Sequence, residues 1–202
     1  MKERGIEQAV VVAHSWGSSV ALDLALTEPE LVTRLALYDA WVYEEQLPSF
    51  FQLARAAGVG ELLFALFYDQ RPDERLSHAF FEPQRVPEEL IEDVERALDR
   101  PGTKAAALAA ARGQRFAQAQ ADYRKITVPT LLLWGREDRV ATLGVGERLS
   151  RDLPNARLQV YPRCGHFPMI EAAAASTAEL VRFLTETEPH TVVVPVGPGD
   201  AR

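Results

Sequence analysis

The stretch Ala9-Val10-Val11-Val12-Ala13-His14-Ser15-Trp16-Gly17-Ser18-Ser19 decides how this chain is read. Its first half is continuously apolar and β-branched, the composition of a strand buried on both faces of a parallel sheet. From Ser18 to Thr27 the spacing turns helical, with Val20, Ala21, Leu24 and Ala25 available for one face and Pro29 just beyond the end. Ser15 therefore falls on a sharp strand-to-helix turn that lifts its hydroxyl clear of the sheet. Small residues two before and two after it, Ala13 and Gly17, let strand and helix pass closely. This is the pattern of a nucleophile elbow, with alanine in place of glycine at the first small position.

Working outward, Leu35-Ala36-Leu37-Tyr38 predicts a second strand and Leu131-Leu132-Leu133-Trp134, between Pro129 and Gly135, a third. Arg157 to Tyr161 alternates and predicts a fourth strand nearer an edge. Helices are expected over Gly144 to Asp152 and Ala172 to Leu184. Strands alternating with helices give an α/β fold with a mostly parallel sheet and flanking helices. Between the second and third strands no strand is convincing. Pro48 to Ala57, Gly60 to Tyr68, Pro87 to Leu98 and Thr103 to Tyr123 all read as helices. Residues 1–41 and 126–187 thus form a discontinuous core, 42–125 a helical cap, and 188–202, with Pro189, Pro195 and Pro198, a loose tail.

Composition narrows the function classes. A net charge of −7 without any basic cluster argues against a nucleic-acid partner. No apolar run approaches the ~20 residues of a membrane span, and Met1-Lys2-Glu3-Arg4 does not open a signal peptide. Cys164 is the single cysteine, which fits a reducing compartment, so a cytoplasmic location is expected.

Nucleophilic serine chemistry needs a base to take the hydroxyl proton and an acid to orient that base. Asp138 lies just past the third strand, in Trp134-Gly135-Arg136-Glu137-Asp138, and His166 just past the fourth, in Arg163-Cys164-Gly165-His166-Phe167. Loops at the carboxyl ends of parallel strands converge on one rim of the sheet, so Ser15, Asp138 and His166 would meet there. Two rival acids stay open: Glu137 beside Asp138, and Asp39 just after the second strand, where a turn role also suits it. His14 reads as a structural neighbour of the elbow, His78 and His190 have no partner in view, and Cys164 reads as a small packed residue.

Together these motifs resemble the α/β-hydrolase superfamily, in its serine-nucleophile branch, over most of residues 5–187. The resemblance implies Ser15 as nucleophile, Asp138 as acid, His166 as base and the backbone N–H of Trp16 as an oxyanion-hole donor. It implies a cap that shapes the pocket, with Trp41, Phe64 and Phe67 expected to touch an apolar part of a small-molecule substrate. The triad supplies both nucleophile and proton transfer, so neither metal nor organic cofactor is expected. A serine at the elbow argues against dehalogenase and epoxide-opening chemistry. Ser-Trp-Gly-Ser-Ser resembles proline iminopeptidases, whereas Cys-Gly-His-Phe resembles carbon–carbon-bond hydrolases and enol-lactonases, so an ester, lactone, amide or C–C substrate stays open. The chain resembles the C-terminal half to two-thirds of such a fold, lacking the N-terminal strands and the loop with the second oxyanion donor. The elbow strand is accordingly expected at an exposed edge that invites homodimers or aggregation. A catalytically impaired fragment or non-catalytic interaction module is the alternative reading.

Overall fold

The computed structural model describes residues 2–68, 72–114 and 116–186; the 188–202 tail and His190 lie outside them. Its frame is a four-stranded, all-parallel sheet in the order β1-β2-β3-β4. The strands are β1 (Ala9–His14), β2 (Val32–Tyr38), β3 (Thr130–Gly135) and β4 (Ala156–Tyr161). Helix α1 (Gly17–Thr27) joins β1 to β2 and α8 (Leu143–Asp152) joins β3 to β4, while α9 (Pro168–Glu171) and α10 (Ala173–Thr185) follow β4.

Period-two alternation sorts the strand residues between two cores. Leu35, Leu37, Leu132 and Trp134 point to one face, where Ala21 and Leu22 of α1 and Leu149 of α8 cover them. Ala36, Tyr38, Leu131 and Leu133 point to the other, against Phe183 of α10. β3 is buried along its whole length, as its unbroken apolar sequence requires of a central strand. β1 has the same kind of sequence but only one neighbour. Val11 packs on the first core, whereas Val10 and Val12 keep 39% and 49% exposure. Although its valine run has the composition of a strand buried on both faces, β1 is the edge of the described sheet, as expected for the elbow strand, and its second face has no covering element among the described residues.

Among the described residues the connection between β2 and β3 has helices and no strand. It holds α2 (Ser49–Ala54), α3 (Val59–Phe67), α4 (Pro72–Ala79), α5 (Glu88–Leu98), α6 (Thr103–Gly113), α7 (Phe116–Ala119) and a 3-10 turn at Gln120–Lys125. The single long helix expected over Thr103 to Tyr123 is broken after Gly113, and α4 was not expected. Ala54, Phe64, Leu108 and Ala111 give this insertion a small core of its own. Among the described residues no helix is long and apolar enough to cross a membrane.

Candidate active site

The elbow is visible in the backbone. Ser15 has φ +51°, a left-handed conformation uncommon for a residue with a Cβ. Its N–H donates to Tyr38 C=O at 2.9 Å and its C=O accepts from Trp41 N–H at 3.0 Å, so the tip of β2 clamps the turn. The strand and helix are less tightly pressed than the sequence pattern suggests. A Cβ built on Gly17 would meet the Ala13 methyl at 3.9 Å, an ordinary contact.

From this turn the Ser15 hydroxyl donates to His166 Nε2 at 2.8 Å, and His166 Nδ1–H donates to Asp138 Oδ2 at 2.7 Å. The tautomer follows from the acceptor: a carboxylate on Nδ1 places the proton there and leaves the Nε2 lone pair facing the serine. Asp138 is itself fixed, because its Oδ1 accepts from the N–H groups of Val140 and Ala141 at 2.7 and 3.1 Å. Both Asp138 and His166 are only 5% exposed. Among the neighbouring serines, Ser18 is fully buried and Ser19 donates to Trp16 C=O.

The rival acids take other places. Glu137 accepts from Cys164 N–H at 3.0 Å, bracing the two loops against each other. Asp39 sits at the turn after β2 with φ +40° and accepts from Gly135 N–H through Oδ1 at 2.9 Å. Complete burial, with Asp138 nearby, pushes its carboxyl well above the usual carboxylate range. Its Oδ2 has no hydrogen-bond partner among the described residues. Asp39, Asp138 and His166 bring donor atoms within 4.8 Å of one another, a metal-like grouping. Here both His166 ring nitrogens are already engaged, so hydrogen bonding accounts for it.

The loops carrying Asp138 and His166 touch at Gly135, where a Cβ would lie 1.8 Å from Gly165 O and 2.6 Å from Cys164 O. Both obstacles are backbone and cannot swing aside. Gly135→Ala is therefore expected to lose about 3 kcal/mol, the upper end for overpacking, or roughly 6–12 °C in thermal unfolding followed by circular dichroism. An unchanged midpoint would mean that the loops do not meet there.

His14 lies against the site without joining the relay. Its Nε2–H donates to His166 C=O at 2.8 Å, and its ring stands 4.8 Å from the His166 ring and 5.1 Å from Phe167. Burial, and secondarily the neighbouring His166, lower its pKa from 6.5 to about 4. The unfolded histidine thus binds a proton between about pH 6.5 and 4 that the folded one refuses. Stability is full above that window and falls as pH drops through it, by up to ~3 kcal/mol from this residue. Urea unfolding at pH 7 and pH 4.5 should show a smaller loss for His14→Gln than for the wild type; equal losses would contradict the assignment.

Of the pocket residues expected from the sequence, Trp41 lies at the elbow, and its indole N–H has no partner among the described residues. Phe64 and Phe67 need correction. Phe64 is 2% exposed and stacks on Tyr68 and Phe50 inside the insertion's own core, while Phe67 is 47% exposed. No hydrogen bond or ring contact among the described residues joins either to Ser15, Asp138 or His166. Phe80, buried and stacked on Phe167 at 4.9 Å, does reach the loop carrying His166. Nothing in its spacing distinguished it from the other aromatics of the insertion. Cys164 is buried, which pushes its thiol pKa up and makes it a packed residue.

The profile of the Alpha/beta hydrolase family matches residues 2–180, and the chain belongs to that family. It is 32% identical, over 93% of its length, to the 2-hydroxymuconate semialdehyde hydrolase of Pseudomonas sp. strain CF600, of which it covers 65%. It is 28% identical, over 91% of its length, to the 2-hydroxy-6-oxononadienedioate/2-hydroxy-6-oxononatrienedioate hydrolase of Cupriavidus pinatubonensis, covering 64% of that protein. The chain thus spans just under two-thirds of the length of these curated relatives. A meta-cleavage product hydrolase from Pseudomonas fluorescens IP01 has the same fold, with TM-score 0.75 at 24% identity over 93% of this chain and 68% of the other.

Proposed function

We propose that this chain carries the nucleophile, base and acid of a serine hydrolase that cleaves a carbon–carbon bond beside a ketone, in a small vinylogous 1,5-diketone. The observation that carries the reading is the unbroken relay Ser15–His166–Asp138, with each hydrogen bond at 2.7–2.8 Å. Only nucleophilic catalysis requires all three groups in that order. The carbon–carbon preference among the ester, lactone, amide and C–C candidates is supported by the names of the two curated relatives.

The chemistry follows from the geometry. As Ser15 Oγ attacks the ketone carbon, its proton passes to His166 Nε2, and the imidazolium so formed is held by the Asp138 carboxylate. The carbonyl oxygen becomes an oxyanion at the start of α1, where the first N–H groups of the helix lack intrahelical partners. Trp16 supplies one of them. When the tetrahedral adduct collapses, the C–C bond breaks and the departing carbon takes the proton from His166. Water, activated by the same base, then releases the acyl group from Ser15.

Turnover of a 1,5-diketone dienol, followed by loss of its visible absorbance, is expected for the wild type and absent in Ser15→Ala. A p-nitrophenyl ester should react more slowly. Equal turnover by Ser15→Ala would sink the proposal, and faster ester cleavage would move the substrate class.

Self-association belongs to the same reading, because Val10 and Val12 lie on an unpaired strand edge. Light scattering after size exclusion is expected to show dimers or larger species, shifted toward monomer by Val12→Lys. A monomeric wild type contradicts this.

A further inference from the structure

The segment of the insertion that follows α4 runs alongside the loop carrying His166 and is tied to it at successive residues. Ala79 C=O accepts from His166 N–H at 2.8 Å. The Phe80 ring stacks on Phe167 at 4.9 Å, and the Arg163 guanidinium lies over the Phe81 ring. Gly165 is needed where the two segments cross, since a Cβ there would stand 2.3 Å from Ala79 O. One side chain spans both segments. Glu171, at the end of α9, accepts through Oε1 from Gly165 N–H at 2.9 Å and Phe167 N–H at 3.2 Å, the two residues flanking the base. Through Oε2 it accepts from Phe81 N–H at 2.7 Å.

We propose that Glu171 is a positioning residue: its carboxylate fastens the Ala79–Phe81 segment to the His166 loop, so that the base faces Ser15 only while the insertion is seated. This rests on the reading of Ser15 and His166 as nucleophile and base. Three backbone N–H groups converge on one carboxylate, which fixes its rotamer and makes it a hinge pin between two segments distant in sequence. No other side chain among the described residues bonds to the backbone on both sides of His166.

The test compares wild type, Glu171→Ala and Glu171→Gln in the full chain by two readouts. The first is the low-field proton resonance of His166 Nδ1–H in its hydrogen bond to Asp138. The second is the rate of covalent labelling by a fluorophosphonate. Glu171→Ala is expected to lose or shift the resonance and to label at least tenfold more slowly, with unchanged far-ultraviolet circular dichroism. Glu171→Gln keeps an oxygen for Gly165 and Phe167 but turns an NH2 group toward Phe81 N–H. It should restore most of the resonance and label at an intermediate rate. A Glu171→Ala protein matching the wild type in both readouts overturns the inference. If that variant fails to fold, Glu171→Gln decides alone, and wild-type behaviour in both readouts overturns it. A wild type that shows the resonance but does not label would leave the positioning role to the resonance arm and count against Ser15 as nucleophile. A wild type without the resonance overturns both.

Discussion

Replacing His166 by alanine is expected to lower kcat by about 10⁴-fold or more, the scale seen when the base of a serine triad is removed. Its Nε2 is the acceptor for the Ser15 hydroxyl, and neither Asp138 nor Glu137 bonds to that oxygen among the described residues. His14, the other imidazole nearby, cannot take over. Its Nε2–H is committed to the His166 carbonyl, and its pKa near 4 makes it a poor proton acceptor at neutral pH. The loss should fall mainly on kcat, because the ring is 5% exposed and offers little surface for ground-state binding. Steady-state rates on the diketone, with circular dichroism as the folding control, check this. A loss under tenfold would remove His166 from the role of base.

Asp138→Asn is expected to cost about 10³–10⁴-fold in kcat, and the reason lies in which atom of the amide faces where. The carboxylate uses Oδ1 for two backbone N–H groups and Oδ2 for the histidine. An asparagine must keep its single oxygen on Val140 and Ala141, since turning it would set its NH2 against two donors. That leaves the NH2 facing His166 Nδ1, which then has to accept. The proton moves to Nε2 and points at Ser15, the wrong tautomer for a base. Asp39 does not rescue the variant, because its carboxyl accepts from Gly135 N–H and makes no hydrogen bond to the ring among the described residues. Rates within tenfold of wild type would mean that Asp39 or Glu137 serves as the acid.

Much of this site was legible because it rests on backbone logic. The strands announce themselves as short buried runs, Leu131-Leu132-Leu133 above all, and residues just past their carboxyl ends must gather on one rim. Ser15, Asp138 and His166 stand one, three and five residues beyond β1, β3 and β4. What sequence could not show is where charge is hidden. Asp39 looks like a turn residue and is one, yet its carboxyl is wholly buried behind the relay. Helix α4, Pro72–Ala79, has no apolar stripe; its signal was the proline and the acids Asp73 and Glu74 in the first turn. The aromatics of the insertion were beyond reach for another reason. Phe64 and Phe80 have the same chemistry, and only tertiary packing sends one into the insertion's core and the other onto Phe167. Glu171 stood in view beside the histidine motif, but its three N–H partners come from two segments distant in sequence, Phe81 in one and Gly165 and Phe167 in the other.

The most direct test of the central claim, that Ser15 is a nucleophile assembled within these 202 residues, is peptide mapping by mass spectrometry after fluorophosphonate treatment. One adduct is expected, on Ser15, absent in Ser15→Ala and in His166→Ala. A folded wild type that takes no adduct, or takes it on Ser18 or Ser19 instead, would contradict it.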